Sequence, residues 1–161
     1  GTNYILHLEY SYNEDNKDIL LSNTYFLNKE MDIMNYDSTT FYNIEILNYT
    51  DMTFIQDLPS VNLTSEIISK TEFEENGQKK VRYNFKIGNE GDVIALLLEM
   101  KLYYVSGNDK EIIVPIIWGD NYFSIRGKNS HETFAEFIYD DKRELYLDIV
   151  GWNSELYKKL N

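Results

Sequence analysis

Val81, Tyr83, Phe85 and Ile87 alternate with Arg82, Asn84 and Lys86 without a break. Side chains along an extended chain point to opposite faces in turn, so this stretch predicts a strand with one buried and one wet face. The same logic runs through the rest of residues 59–161. Residues 61–72 read as a strand, and Asn76-Gly77 as the turn into residues 81–87. After a turn at 89–92, residues 93–105 form a long apolar strand. Ile94, Leu96, Leu98, Met100 and Leu102 share one face there, with Glu99 and Lys101 on the other. Residues 106–109 turn again. Residues 111–118 read as a strand whose Pro115 cannot donate a ladder bond, which implies an edge or a bulge. Short strands follow at 122–125, 131–139 and 144–150. No helical pattern lies between strands, so a parallel α/β sheet is excluded. About seven strands in roughly 100 residues, with turns every eight to twelve, predict an all-β, immunoglobulin-like β-sandwich.

Residues 1–58 read differently. Residues 4–10 and 18–27 are strands joined by a polar turn at 12–17, and so form a hairpin. Residues 28–40 have no clear period and read as a connection. Residues 51–58 suit one or two helical turns with Asp51 as N-cap, and Pro59 stops them.

Composition narrows the function. Formal net charge is -12 and no Lys/Arg stripe stands out, which argues against nucleic acid and anionic membrane as partners. There is no cysteine, so disulfides, iron–sulfur clusters and thiolate zinc sites are excluded. His7 and His131 are the only histidines, too few for a His-rich metal site, and no metal or cofactor is expected. No apolar run reaches the length of a membrane-spanning helix. The start at Gly1, without Met or signal peptide, reads as a piece cut from a longer chain whose targeting signal lies elsewhere.

No catalytic residue is predicted. Acidic pairs at Asp140-Asp141, Glu74-Glu75 and Glu14-Asp15 sit in polar turns, where carboxylates cap or solvate. No Gly-x-Ser-x-Gly elbow or phosphate loop is present. His131 opens a strand and reads as a surface residue rather than a general base. Tyr103, Tyr104 and Tyr146 read as possible glycan-stacking rings if exposed. Asn48 and Asn62 head glycosylation sequons.

The most distinctive stretch is Val114-Pro115-Ile116-Ile117-Trp118-Gly119-Asp120-Asn121-Tyr122-Phe123-Ser124. Asp120 and Asn121 suit a tight turn in which their side chains bond nearby backbone. Trp118, Tyr122 and Phe123 would anchor that turn to the core. The competing reading aims the loop at a neighbouring domain or a ligand, which makes Trp118, Asp120, Asn121 and Tyr122 the candidate binding or interdomain-contact residues.

This stretch resembles the terminal immunoglobulin-like domain of exo-β-glucosaminidases and related β-mannosidases of glycoside hydrolase family 2. Their pattern is Pro-Val-x-Trp-Ser-Asp-Asn-Tyr-Phe-Ser-Leu-x-Pro-Gly-Glu-Ser. Pro115, Trp118, Asp120, Asn121, Tyr122, Phe123, Ser124 and Gly127 match it. Asn89-Glu90-Gly91 with Ala95, and the closing Gly151-Trp152-Asn153, also resemble the family. Ser22-Asn23-Thr24-Tyr25-Phe26-Leu27 is similar to the end of its preceding sandwich domain. Asp51-Met52-Thr53-Phe54 with Leu58-Pro59 is similar to its link into the last domain. Gly119 departs where the family has Ser, and Arg126, Lys128 and Asn129 depart around Gly127.

The resemblance implies that residues 1–58 end a preceding β-sandwich domain and add a linker, and that 59–161 form a C-terminal sandwich. It implies a non-catalytic accessory domain packing on other domains of a secreted or extracellular parent glycosidase. The family's catalytic glutamates lie on a (β/α)₈ barrel, which needs about 250 residues and alternating helices. The parent would hydrolyse β-linked glucosamine or mannose. The alternative function is a carbohydrate-binding module for a β-linked glycan. The hairpin, cut from its partner strands, would expose apolar surface, fold back on the sandwich or pair with a second copy.

Overall fold

The computed structural model describes residues 3–14 and 17–160. It divides into two compact units that meet at Leu58 and Pro59.

In the first unit, β1 (Asn3–Glu14) and β2 (Lys17–Asn28) pair antiparallel in unbroken register from Asn3 opposite Asn28 to Glu14 opposite Lys17. Positions 15 and 16 of the predicted turn, and with them Asp15 of the Glu14-Asp15 pair, lie outside the described residues. The stretch at 28–40 is not wholly irregular: β3 (Ile33–Met34) pairs with β4 (Ile46–Asn48). Asp51 does not cap a helix directly. Its Oδ1 accepts from Thr53 N (2.9 Å) and Thr53 Oγ1 (2.7 Å), one residue ahead of a 3-10 turn over Thr53–Asp57 whose N-cap position is Met52. Hydrogen bonds to Thr53 hold its carboxyl below the ordinary Asp value. No described side chain before Pro59 is fully buried.

The second unit is a two-layer sandwich. One sheet runs in the order β5 (Leu63–Glu75), β6 (Gln78–Asn89), β11 (Ser130–Ile138), β9 (Ile117–Trp118). The other runs β10 (Phe123–Ile125), β7 (Ala95–Ser106), β12 (Glu144–Val150), β13 (Glu155–Lys159), with β8 (Asp109–Ile112) also on β7. Alternation decides what is inside. Val81, Tyr83, Phe85 and Ile87 of β6 face Leu98, Met100 and Leu102 of β7 and Leu145, Leu147 and Ile149 of β12 in one core. Fully burying each such side chain is worth about 1.5–3 kcal/mol.

Three readings of the sequence change here. Ile94 and Leu96 do not share the inward face of Leu98, Met100 and Leu102: Leu97 is left-handed (φ 54°) and the register against β10 shifts there, so Ala95 takes the core position instead. Residues 111–118 are not one strand. β8 and β9 belong to different sheets, and the chain crosses between layers at Pro115, where the missing N–H costs no ladder bond. β13 was not foreseen. On its core side stand Leu156 and, one residue past its end, Leu160, with Lys158 between them, which breaks the apolar period and donates from Nζ to Ser65 O (2.7 Å) on the facing sheet. An inward lysine on an edge strand also discourages further pairing.

Candidate functional site

The stretch 114–124 leaves β8, contributes β9 to the facing sheet and returns as β10 to the edge of β7 opposite β12. β10 covers one end of that edge and β8 the other, which leaves a gap at Met100. Asn121 fills the gap with its side chain. Its Oδ1 accepts from Met100 N (2.7 Å) and its Nδ2 donates to Met100 O (3.1 Å), so the amide copies a paired strand residue. The same Oδ1 accepts from Tyr122 N (3.0 Å). Asp120 is held through its backbone. Its N donates to Thr133 Oγ1, and that hydroxyl donates to Asp120 O, both at 2.8 Å.

The Asp120 carboxylate lies 3.1 Å from His131 Nε2, without the alignment of a hydrogen bond. His131 is not a surface residue as expected. It is partly buried, its ring 4.2 Å from that of Phe123. Burial lowers its pKa against the opposing pull of Asp120, so the imidazole favours its neutral form.

Tyr122 adopts a left-handed backbone (φ 66°) and is 68% exposed. Its hydroxyl donates to Glu99 Oε1 (2.9 Å), and Glu99 pairs with Lys101 (2.7 Å). Trp118 on β9 packs partly buried against the core. Trp118, Tyr122, Ile113, Ile116 and Met100 line a groove of about 210 Å³. Ile112 and Val114, which also line it, are exposed. The four candidates therefore differ in role: Asp120 and Asn121 build the turn, and Trp118, Tyr122 and the Asn121 amide line the groove.

Two glycines explain how the stretch meets its neighbours. A Cβ on Gly119 would sit 2.5 Å from Phe134 Cδ1 and 2.7 Å from Cε1, so Phe134 occupies the space a serine would need. A Cβ on Gly127 would run into the backbone of Asp92, which has no rotamer to yield. Position 127 therefore admits no side chain.

The tyrosines named from sequence split. Tyr104 is buried, its hydroxyl accepting from Asp140 N (2.8 Å) and donating to Ile138 O (3.2 Å). It continues the inward row of β7, which excludes it from any surface. Tyr103 and Tyr146 are cross-strand partners on the outer face. Tyr146 stacks on Tyr157 at 5.1 Å, and Lys110 Nζ lies 3.9 Å from the Tyr103 ring centre and 4.5 Å from that of Tyr157. These rings face one another and a lysine, which is not the coplanar row a sugar chain stacks on.

The turn carboxylates are engaged as structural groups. Asp141 pairs with Lys79 (2.7 Å), Asp140 Oδ1 accepts from Lys142 N (3.0 Å), and Glu75 pairs with Lys80. Sequence reasoning missed one cluster nearby. Lys70 donates to Tyr139 Oη (3.0 Å), pairs with Glu72 (2.7 Å) and lies over the Tyr139 ring. Burial opposes the charge on Lys70, but the bonds to Glu72 and Tyr139 win and raise its pKa; burial pushes the Tyr83 phenol beside it up to about 12. A tightly held ammonium and a reluctant phenol are poor bases, so the cluster pins β5 to the end of β11. Among the described residues no group of His, Asp and Glu is placed to hold a metal ion.

Comparison with known proteins gives these features a family. Residues 41–154 match the model of the exo-beta-D-glucosaminidase Ig-fold domain. Exo-beta-D-glucosaminidase from Arthroderma benhamiae is 22% identical over 143 residues, covering 88% of this chain and 15% of that protein. The Hypocrea virens enzyme of the same name is 23% identical, over 85% of this chain and 13% of its own. The crystal structure of Amycolatopsis orientalis exo-chitosanase CsxA superposes with a TM-score of 0.75 at 16% identity, covering 99% of this chain and 18% of that one. The chain thus spans less than a fifth of each of these relatives. With its sandwich built and the matched stretch running through β4 to β12, the chain belongs to the exo-beta-D-glucosaminidase Ig-fold domain family.

Proposed function

We propose that this chain is a non-catalytic accessory piece of a longer family 2 glycosidase, and that its sandwich packs against other domains of that enzyme. Residues 1–58 would end the preceding β-sandwich domain and supply the linker, and 59–161 would be the C-terminal Ig-like domain. The parent would hydrolyse β-linked glucosamine, with the β-mannosidase branch as the other substrate reading. The observation that carries the packing role is the apolar rim of the 114–122 groove, where Val114 is 73% and Tyr122 68% exposed. Rigidly held apolar side chains clustered on a surface mark an interface.

The test has two arms. The isolated chain is assayed on aryl β-glucosaminides and β-mannosides, and no turnover is expected; clear turnover by pure chain sinks the non-catalytic reading. Val114→Glu with Tyr122→Glu is then placed in the parent enzyme, where the melting temperature should fall by several degrees. An unchanged melting temperature sinks the packing surface.

A second reading, a carbohydrate-binding module, has one observation in its favour. Trp152 is 55% exposed beside a polar recess of about 480 Å³ that Asn62, Ser154 and Glu155 also line. Titration with chitosan or mannan oligosaccharides, followed by Trp fluorescence, decides it; no change in signal removes it.

A further inference from the structure

The register of the β1–β2 hairpin sorts its side chains onto two faces. Tyr4, Leu6, Leu8 and Tyr10 stand opposite Leu27, Tyr25, Asn23 and Leu21 on one of them. Every large apolar side chain in that set is 40–65% exposed. Between positions 4–10 and 21–27 this face carries no charge, in a chain that is 26% charged. Seven half-exposed Tyr and Leu side chains offer roughly 700 Å², above the few hundred usual for a free surface and within the range of a contact between domains. Two strands alone are marginal in water and need a further layer.

Resting on the reading of this chain as part of a longer glycosidase, we infer that this face, and not its opposite, is a docking surface for an apolar sheet from an earlier segment of the same polypeptide. Three observations choose that occupant. The matched Ig-fold domain begins at residue 41, so the hairpin lies outside it. The larger exo-chitosanase structure matches 99% of this chain, so the hairpin has a counterpart inside a protein of which it is a small part. The chemistry of the face is four leucines and three tyrosines at strand spacing, with Asn23 Nδ2 donating to Tyr25 Oη (3.1 Å). Leucine rows of this kind interdigitate with another sheet about 10 Å away. An acidic or basic partner would find no counter-charge there.

The opposite face carries Ile5, His7, Thr24 and Phe26, all partly buried, with His7 Nδ1 and Thr24 Oγ1 2.9 Å apart. It is smaller in apolar content and has Glu9 among its residues.

The experiment compares amide hydrogen exchange at positions 3–28 in the present chain and in the same chain extended upstream through its own gene. In the present chain these amides should exchange rapidly. In the extended chain they should slow by about a hundredfold or more. Leu6→Thr with Leu8→Thr keeps strand propensity but removes the apolar contact, and should return the extended chain to fast exchange. Ser22→Glu, on the opposite face, should leave it slow. Unchanged fast exchange in the extended chain overturns the inference. So does a dimer of the present chain that the double threonine variant abolishes, since a second copy would then be the occupant. Co-sedimentation with equimolar phosphatidylcholine and phosphatidylglycerol vesicles, lost in the same variant, also overturns it in favour of a membrane. If the upstream gene encodes no glycosidase architecture, the parent reading itself falls. If the architecture is present and the hairpin stays fast, only the docking falls.

Discussion

The hairpin of β1 and β2 and the central strands β6, β7 and β12 are written in the same alternating code, yet they end in opposite physical states. Tyr83, Phe85 and Ile87 are at most 2% exposed; Leu6 and Leu8 are 40% and 51% exposed. The difference lies in what faces the apolar row. In the sandwich each inward row meets a second sheet at packing distance, so transfer from water and dispersion contacts both contribute. In the hairpin the row from Tyr4 to Tyr10 stays half in water, and the pair is held by its backbone ladder with local side-chain contacts such as that of His7 Nδ1 with Thr24 Oγ1. Alternation therefore specifies a strand with a sticky face, and only topology says whether the face is covered.

Core truncation gives the largest contrast. Phe85→Ala should cost about 3–5 kcal/mol in urea unfolding followed by Trp fluorescence. Leu8→Ala on the hairpin should change the same curve by less than about 0.5 kcal/mol. Equal costs would erase the distinction between the two regions.

Buried amides sharpen it next. Asn153 donates from Nδ2 to Pro59 O and Ile94 O (both 2.9 Å) and accepts at Oδ1 from Leu96 N (3.0 Å), tying three segments of the sandwich together. Asn153→Ala strands those groups and should cost about 2–3 kcal/mol. Asn28 also bonds a distant carbonyl, that of Asp51 at 2.8 Å, but in an exposed setting where water substitutes. Asn28→Ala should be close to neutral in the same assay.

Packing at Gly119 gives a smaller, reversible effect. Gly119→Ser should destabilise by about 1–3 kcal/mol because the serine meets the Phe134 ring. Adding Phe134→Val should recover most of the loss. Failure of that rescue would mean that the glycine is needed for its backbone rather than for space.

The smallest effect is with pH. His131 has its pKa lowered by burial, so the unfolded chain takes up its proton first. Stability from this group is full above the ordinary histidine value near 6.5, and it declines as pH falls through the window below. The paired carboxylates Glu72, Glu99, Asp141 and Glu144, whose pKa values are also lowered, act only further down, below about 4.5. His131→Gln should flatten the midpoint-versus-pH curve just below about 6.5 and leave the lower limb, set by the carboxylates, intact.

Much of the fold could be read from residues. The run from Val81 to Ile87, the Asn76-Gly77 turn and the inward row from Leu98 to Leu102 each obey one local rule that tertiary contacts do not override; the start of that row was misread, because left-handed Leu97 shifts the alternation and puts Ala95 rather than Leu96 in the core. β13 could not be read because Lys158 takes an inward position to reach across the sandwich edge. The split of β8 from β9 was only half legible: Pro115 signalled an irregularity, but a change of sheet is a property of topology. At the candidate site the polar turn at Asp120 and Asn121 was legible as a turn that bonds backbone. The partner was not, since Met100 lies on a strand brought there by the fold. His131 was misread because its burial comes from Phe123 and the strand packing, neither of which its neighbours in sequence reveal.

Amide hydrogen exchange on the present chain, resolved by residue, tests the central claim most directly: a self-sufficient sandwich, and a hairpin whose apolar row from Tyr4 to Tyr10 stays half in water. Amides of β6, β7 and β12 should exchange only through global unfolding, while those of β1 and β2 should exchange orders of magnitude faster, through local opening. Protection of β1 and β2 equal to that of the central strands would contradict the account.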